Sequence, residues 1–501
     1  MHLIGLDVGT TGCKAAIFDE AGTLLSSASC EYAVDIARPT WAEQDAENVW
    51  RLAQYALGEA ISIAQISKVA AIGLSVQGEA VMPVDRQGRA IAPAILGMDS
   101  RTSEQNAWLR QRFGARHLFE RTGMPVHTVN TLPKLLWLKH HEPDLWAQAE
   151  RFLLYEDFLI NKMTGQAVIS RCLASRTQIF DLPNGCWSPE ILEGLELEPD
   201  RLATVKPSGA AVDSMKPELA KRLGLTNTPL VVTGGHDQAC GALGVGLVRP
   251  GLAMDSTGTA EVVEVALDAP VLNETLYQGD ISVYAHVIPD LYLAMALNHS
   301  GGLVLRWFRD TLGREEIREA QASGRDAYEL LLQDASPDPT SLLLLPDFAG
   351  SGTPTFDTDS KGAVLGLTFG TDKTELAKAI LEGLTFELRL NLDLLKKGGV
   401  KIDQLRAIGG GARSELWLQL KADICGIPVV APRLTEAASW GAALLAGTAA
   451  GLFSSAAEAA EGLLNLDRRF YPDLKRKALY DERFELYREV YPALKSIHHR
   501  M

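Results

Sequence analysis

Two short stretches of this 501-residue chain set a carboxylate beside small hydroxyl residues and glycine, the residue types that hold phosphate. The first is "GLDVGTTGCKAAIFD" (residues 5–19), where Asp7 precedes Gly9, Thr10, Thr11 and Gly12, and Lys14 follows. The second is "MDSTGTAEVVEVA" (residues 254–266), where Asp255 precedes Ser256, Thr257, Gly258 and Thr259. Glycine lets several backbone N–H groups converge on one anion, and a nearby carboxylate suits a phosphate accompanied by Mg²⁺. Neither stretch fits the Walker or dinucleotide loops, which open a helix. Here Ala15–Phe18 read as a strand running into the turn Asp19–Gly22. Each stretch is either a plain hairpin turn or half of a two-sided grip on a polyphosphate. Lys14 either reaches a phosphate or faces solvent.

A third stretch, "GGHDQACGALG" (residues 234–244), follows an apolar run. Gly234 and Gly235 predict a sharp turn at a strand end, where α/β proteins bind ligands. Asp237 then has two readings: a general base for a substrate hydroxyl in phosphoryl transfer, or a cap on the following helix. His236 alone reads as a structural hydrogen-bonder. In "AIGGGARSELW" (residues 407–417), Gly409, Gly410 and Gly411 permit close approach of an adenine or ribose, and Ser414 starts a helix. A plain strand-to-helix turn has the same pattern.

The elements that must carry these residues are legible from periodicity. The first 35 residues read strand–turn–strand–turn–strand. Val49, Leu52, Ala53, Ala56, Leu57 and Ala60 share one helical face, with Asp45 as its N-cap. "VAAIGLSV" reads as a buried strand ending at Gln77-Gly78-Glu79. A long helix is expected over "DKTELAKAILEGLTFELRLNLDLLKK" and another over "TEAASWGAALLAGTAAG". The repeated strand–Asp–Gly/Thr–strand grammar predicts two related α/β halves, divided into residues 1–246 and 247–501.

Composition narrows the classes. At about 150 residues per domain the length predicts two to four domains. A net charge of −15 argues against a nucleic-acid or anionic-membrane surface. Six scattered cysteines with no C-x-x-C pair argue against zinc or a disulfide framework and for a reducing cytoplasm. "MHLIGLDVG" has no signal-peptide pattern, and no uncharged run approaches the ~20 residues of a membrane helix.

Taken in order, these pieces resemble the FGGY family of carbohydrate kinases, within the actin and hexokinase ATPase superfamily. "GLDVGTTGCKAAIFD" is similar to the family's first phosphate loop, "PTWAEQDAENVW" to its early "EQD…W" element and "GGHDQACGALG" to its catalytic-aspartate loop. "DSTGTAEV" is similar to the second phosphate loop, "GGGARSELWLQLKADICGIPV" to the adenosine motif, and residues 362–382 to the C-terminal signature. The resemblance implies an α/β fold of two RNase H-like domains with ATP and Mg²⁺ in the cleft between them. It implies that Asp237 is the catalytic base and that Asp7 and Asp237 organise metal. It further implies that Thr10, Thr11, Lys14, Ser256, Thr257, Gly258 and Thr259 face the phosphates. Gly301, Gly410, Gly411, Ala412 and Ser414 line the nucleotide side, and Gln77, Glu79, Asp99, Asp237 and Gln238 face the acceptor.

The acceptor loop departs from the family pattern. "SVQGEA" has neither the Met-His pair usual in xylulose kinases nor the Arg-Glu pair of glycerol kinases, since Gly78 stands in the arginine's place. Gly97 stands where a tryptophan commonly precedes the aspartate, Gln238 replaces asparagine, and "GSGTP" replaces "GERTP". The expectation is a kinase for a primary hydroxyl of a small sugar or polyol: first a ketopentose, then glycerol, a tetritol or gluconate. A non-catalytic sugar sensor on the same fold and an actin-like filament ATPase are the readings from other classes. A homodimer is implied by the resemblance alone.

Overall fold

The apolar run after Met1 forms strand β1 (His2–Val8), which pairs antiparallel with β2 (Gly12–Asp19), and β2 pairs antiparallel with β3 (Leu24–Glu31). The computed structural model describes residues 1–434 and 436–501. Helix α1 (Ala46–Ala64) begins where Asp45 accepts the N–H groups of Glu47 and Asn48, and its buried face includes Val49, Ala53, Ala56, Leu57 and Ala60. Strand β4 (Ala71–Val76) pairs parallel with β1. An insertion of residues 77–229 follows, containing α2 (Tyr155–Thr164), before β5 (Leu230–His236) pairs parallel with β4. Helix α3 (Asp237–Gly244) leaves β5 directly.

The second half repeats this wiring. Strand β6 (Gly251–Thr257) pairs antiparallel with β7 (Glu261–Leu267), and β7 pairs antiparallel with β8 (Tyr292–Asn298). After the long helix α4 (Lys373–Lys397), β9 (Ile402–Gly409) pairs parallel with β6. Helix α5 (Glu415–Cys425) leads to β10 (Val429–Ala431), parallel to β9. The expected repetition is therefore present as topology: three antiparallel strands, then parallel ones. No helix among the described residues is long and apolar enough to cross a membrane.

Helix α6 (Ala437–Ala449) closes the frame; the helix expected from residue 435 begins at Thr435, which lies outside the described residues. Its sequence, "AASWGAALLAGTA", is small or apolar on every side, so it can only be buried. It lies with α3 between the two sheets, in a core that includes Leu3, Phe18, Cys240, Met254, Trp440 and Leu444. The outer face of the first sheet packs on α1 and α2, that of the second on α4 and α5.

Glycine sets how closely α6 approaches. A Cβ on Gly5 would overlap the Ser439 carbonyl, one on Gly73 the Ala442 carbonyl, and one on Gly441 the Cys240 carbonyl of α3. Gly234 does the same against the Leu74 carbonyl, and Gly235 would meet Val287 and Cys172. The expected sharp turn at Gly234-Gly235 is thus replaced by continued strand, with a register irregularity between Val232 and Gly235. These glycines are there for contact. Because backbone cannot rotate out of the way, Gly73→Ala and Gly441→Ala should each cost about 1–3 kcal/mol. Thermal unfolding at the wild-type temperature in either variant would refute the close-packing account.

Candidate active site

Strand period decides which carboxylate reaches the cleft. In β1, Ile4, Leu6 and Val8 pack under α1, while Leu3 and Gly5 face α6. Asp7 shares the Leu3/Gly5 face, because side chains alternate along a strand. Its Oδ1 accepts a hydrogen bond from Ser75 Oγ at 2.6 Å. Burial pushes its pKa up to about 6, against the Ser75 hydrogen bond and the Lys14 charge, which pull it down. Lys14, opposite Asp7 in the hairpin, is paired with Glu436 at 2.9 Å, the residue just before α6. Of the two readings, phosphate contact or solvent, the structure shows a partly exposed lysine held in an ion pair with Glu436.

Gln77 braces the first hairpin. Its Oε1 accepts from Thr10 Oγ1 at 3.3 Å and its Nε2 donates to the Gly9 carbonyl at 3.2 Å and to Gln44. In the structure its amide is bonded to the hairpin and to Gln44. Thr11 is exposed at the hairpin tip.

Asp237 opens α3 as its first residue, after His236 at the N-cap position, and its side chain still takes up one first-turn N–H. Its Oδ1 accepts the Gln238 N–H at 2.6 Å and lies 3.3 Å from His236 Nε2. Its side chain remains 29 % exposed. Desolvation first, then the negative charges of Asp7, Glu79 and Glu264, raise its pKa to about 8. His236 is buried beside Arg176, which pushes its imidazole well below its usual range and keeps it neutral. Glu79 adopts φ 61°, a left-handed conformation that costs a non-glycine residue energy and that often persists at functional sites. Its Oε1 accepts Arg176 Nε at 2.6 Å.

Asp99 lies elsewhere. Its side chain has no exposure; its oxygens accept Arg101 Nε and Nη2 and the N–H groups of Ala42 and Arg101. Arg101 also pairs with Glu43 and lies 3.7 Å over the Trp41 ring. The Asp99 carboxylate is thus spent on Arg101 and the Ala42 N–H, in place of the expected acceptor contact. Gly97 lies against Glu79, where an added Cβ would be 3.4 Å from Oε2.

The second hairpin is built one residue out of step. Leu252 and Met254 face the central helices, while Ala253 faces α4 and α5. Asp255 follows Ala253 onto that outer face, where Lys421 of α5 is its ion-pair partner. Lys421 also lies 3.0 Å from Glu261 and donates to Thr257 Oγ1 at 2.6 Å. The two carboxylates hold its ammonium above the usual lysine range despite burial. Asp255 is therefore no counterpart of Asp7, and the Thr257 hydroxyl is taken; both expectations are corrected by strand alternation. Ser256, on the inner face, is partly exposed, as are Gly258 and Thr259 at the tip.

The remaining nucleotide-side residues come together around this hairpin. Gly302 N donates to the Gly258 carbonyl at 2.8 Å, and Gly301 sits where a Cβ would meet the Ala260 carbonyl at 2.5 Å. Gly411 packs on Thr257 and Trp417, Gly410 is exposed, and the Ala412 carbonyl accepts from Arg468. Ser414 caps α5, as expected, by accepting the Trp417 N–H. Glu264, three residues along β7 from Glu261, lies in the field of Asp237. Ser75, Arg176, Glu264, Lys421 and Glu436 had escaped sequence reasoning. Only Lys421, a lone cation on the apolar face of "ELWLQLKADIC", carried a local signal. Lys421→Met leaves two buried carboxylates unpaired and should cost about 3–5 kcal/mol; unchanged thermal unfolding would refute the strut.

Known proteins match this arrangement over its whole length. The model of the FGGY family of carbohydrate kinases matches with its N-terminal domain over residues 2–244 and its C-terminal domain over residues 253–450. The chain is 32% identical to the xylulose kinase of Escherichia coli, over 98% of this chain and 99% of that one. It is 31% identical to the autoinducer-2 kinase of Klebsiella pneumoniae, over 98% and 93%. The ligand-bound crystal structure of a Lactobacillus acidophilus xylulose kinase superimposes with a TM-score of 0.91 at 26% identity, covering 100% of this chain and 99% of that one. With both modules in order, the Asp7 hairpin in one and the Ser256 hairpin in the other, the chain belongs to the FGGY family of carbohydrate kinases and is a phosphotransferase acting on an alcohol group.

Proposed function

We propose that the chain transfers the γ-phosphate of ATP to a primary hydroxyl of a ketopentose, xylulose first. The observation that carries this reading is Asp237: a partly exposed carboxylate at a helix start, its pKa raised by burial and by Asp7 and Glu79. The full-length likeness to xylulose kinases supports the acceptor class. Residues 1–246 would form the acceptor half and residues 247–501 the nucleotide half. The protein would act in the cytoplasm on a freely diffusing sugar, and a homodimer is our expectation for its assembly.

In this mechanism Glu79 orients the acceptor and Asp237 takes the proton from its hydroxyl as the oxygen attacks phosphorus. Phosphoryl transfer depends chiefly on positioning and charge stabilisation, and the hairpin N–H groups supply both. The Thr10–Gly12 tip would hold phosphate from one side, Ser256 and the Gly258–Thr259 tip from the other. Closure of the halves excludes water, which would otherwise compete as acceptor. Mg²⁺ fits the site: Asp7 and Asp237 are two carboxylates whose charges oppose each other, and a cation would relieve both. When bound it would neutralise phosphate charge, with Asp7 and Asp237 as its protein partners.

Gly78 and Gly97 bring no side chain of their own to the acceptor loop, and His236, Arg176 and Glu79 stand beside them. A panel of D-xylulose, D-ribulose, glycerol, erythritol and gluconate, assayed by ATP consumption, should show a pentulose with the highest kcat/KM. Preference for another acceptor would overturn the assignment. Asp237→Ala should lower turnover by roughly 10²–10⁴ and leave the KM for ATP nearly unchanged; near wild-type turnover would remove Asp237 from its role.

Stability gives a second check. Between the ordinary aspartate value near ~4 and about 8, folded Asp237 holds a proton that the unfolded chain has released, so stability falls as pH rises through that window. Asp237→Asn has no such loss. Without metal, its melting temperature relative to wild type should therefore climb from about pH 5 to pH 8 and level off above. A constant difference would show that Asp237 is not raised.

A further inference from the structure

Behind Glu79, side chains from opposite halves meet. A Cβ on Gly78 would lie 2.8 Å from His236 Cδ2 and 3.9 Å from Arg176 Nε, so the His236 ring fills the ground beside the bare residue 78 and Arg176 borders it. Arg176 reaches there from the end of the short helix Arg171–Ser175. Its Nε donates to Glu79 Oε1 at 2.6 Å, and Nη2 contacts the same carboxylate oxygen. Glu79 cannot swing away freely: its carbonyl accepts Thr131 Oγ1 at 3.0 Å and Lys134 Nζ at 3.3 Å, which pins the left-handed backbone.

The other side of Arg176 faces the second half. Its guanidinium stacks 4.6 Å from the ring of Tyr284, on the edge strand Ser282–Ala285. The Tyr284 hydroxyl donates to Glu264 of β7, the strand that begins at the second phosphate hairpin. The Ala285 N–H donates to Ser175 Oγ at 3.0 Å and docks the segment there. Arg176 is only 4 % exposed. Its Nη1 and Glu264 Oε2 are both shielded from solvent and have no hydrogen-bond partner among the described residues. A guanidinium donor and a carboxylate acceptor thus stand unpaired in one buried network that crosses between the halves.

We propose that Arg176 is a positioning residue that couples acceptor binding at Glu79 to the nucleotide half through Tyr284 and Glu264. An acceptor hydroxyl bonded to Glu79 fixes the guanidinium fork, and Nη1 pairs with Glu264 Oε2 as the halves close. Only a planar fork can serve both carboxylates at once; a lysine ammonium cannot. The inference rests on the kinase reading above.

The test measures how strongly the acceptor tightens binding of a non-hydrolysable ATP analogue to the full chain with Mg²⁺, by calorimetric titration with and without saturating acceptor. The acceptor used is the panel member that the wild type phosphorylates best. The wild type should show tightening of about 5–150-fold, the usual span of site–site coupling. Arg176→Lys and Glu264→Gln should each bring that factor close to one. Arg176→Lys should also raise the acceptor KM, whereas Glu264→Gln, which leaves the Glu79–Arg176 pair intact, should not. If Glu264→Gln fails to fold, Tyr284→Phe, which removes the hydroxyl that holds Glu264 in place, should also lower the factor and carries the test. Wild-type coupling retained in the variants, or no coupling in the wild type, overturns the inference alone. A wild type that phosphorylates no panel member overturns the kinase reading and this inference with it.

Discussion

Everything at the candidate site depends on how closely helix α6 lies against the first sheet. Gly5 and Gly73 remove the side chains that would hold the helix off, and Gly441 and Gly244 do the same between α6 and α3. The helix therefore rests backbone to backbone on β1 and β4. That contact brings Glu436 to Lys14 and sets the start of α3, with Asp237, beside the end of β1, with Asp7. A helix held away by ordinary side chains would separate these groups and leave the cleft without its floor. Close packing in the middle of the molecule thus determines electrostatics at its edge.

The two halves share wiring but not charge. In the second half Asp255 and Glu261 are neutralised by Lys421 and bury their charge as a structural strut. In the first half Asp7 and Asp237 have no such internal cation among the described residues: Lys14 is shared with Glu436, and Arg176 is committed to Glu79. Carboxylates left in this way are costly for folding and useful for binding a cation, which is the usual balance between stability and activity. The strain at Glu79 belongs to the same account, since Thr131 and Lys134 hold a backbone geometry that the residue would otherwise abandon.

Much of the frame was legible in one dimension. The N-terminal hairpin, α1 with its Asp45 cap, α4, the Ser414 cap of α5 and the repetition between halves all follow from periodicity and local capping chemistry. Local rules failed where a residue's partner lies far along the chain. Gly234 and Gly235 looked like a turn because nothing in their neighbourhood announces the Leu74 carbonyl or Val287. Asp99's bonds to Arg101, itself stacked on Trp41, and Gln77's bonds to the backbone of the first hairpin are invisible to motif spacing.

Asp7 and Asp255 divide the two kinds of knowledge most clearly. Sequence by itself determined that each stands near the end of a strand before a glycine turn, and that one lies two residues from its glycine and the other three. What that single residue means was decided only by the tertiary structure, which set one face of each sheet on the central helices and the other outside. Because side chains alternate along a strand, the odd residue turned Asp7 into the cleft and Asp255 away from it, onto Lys421.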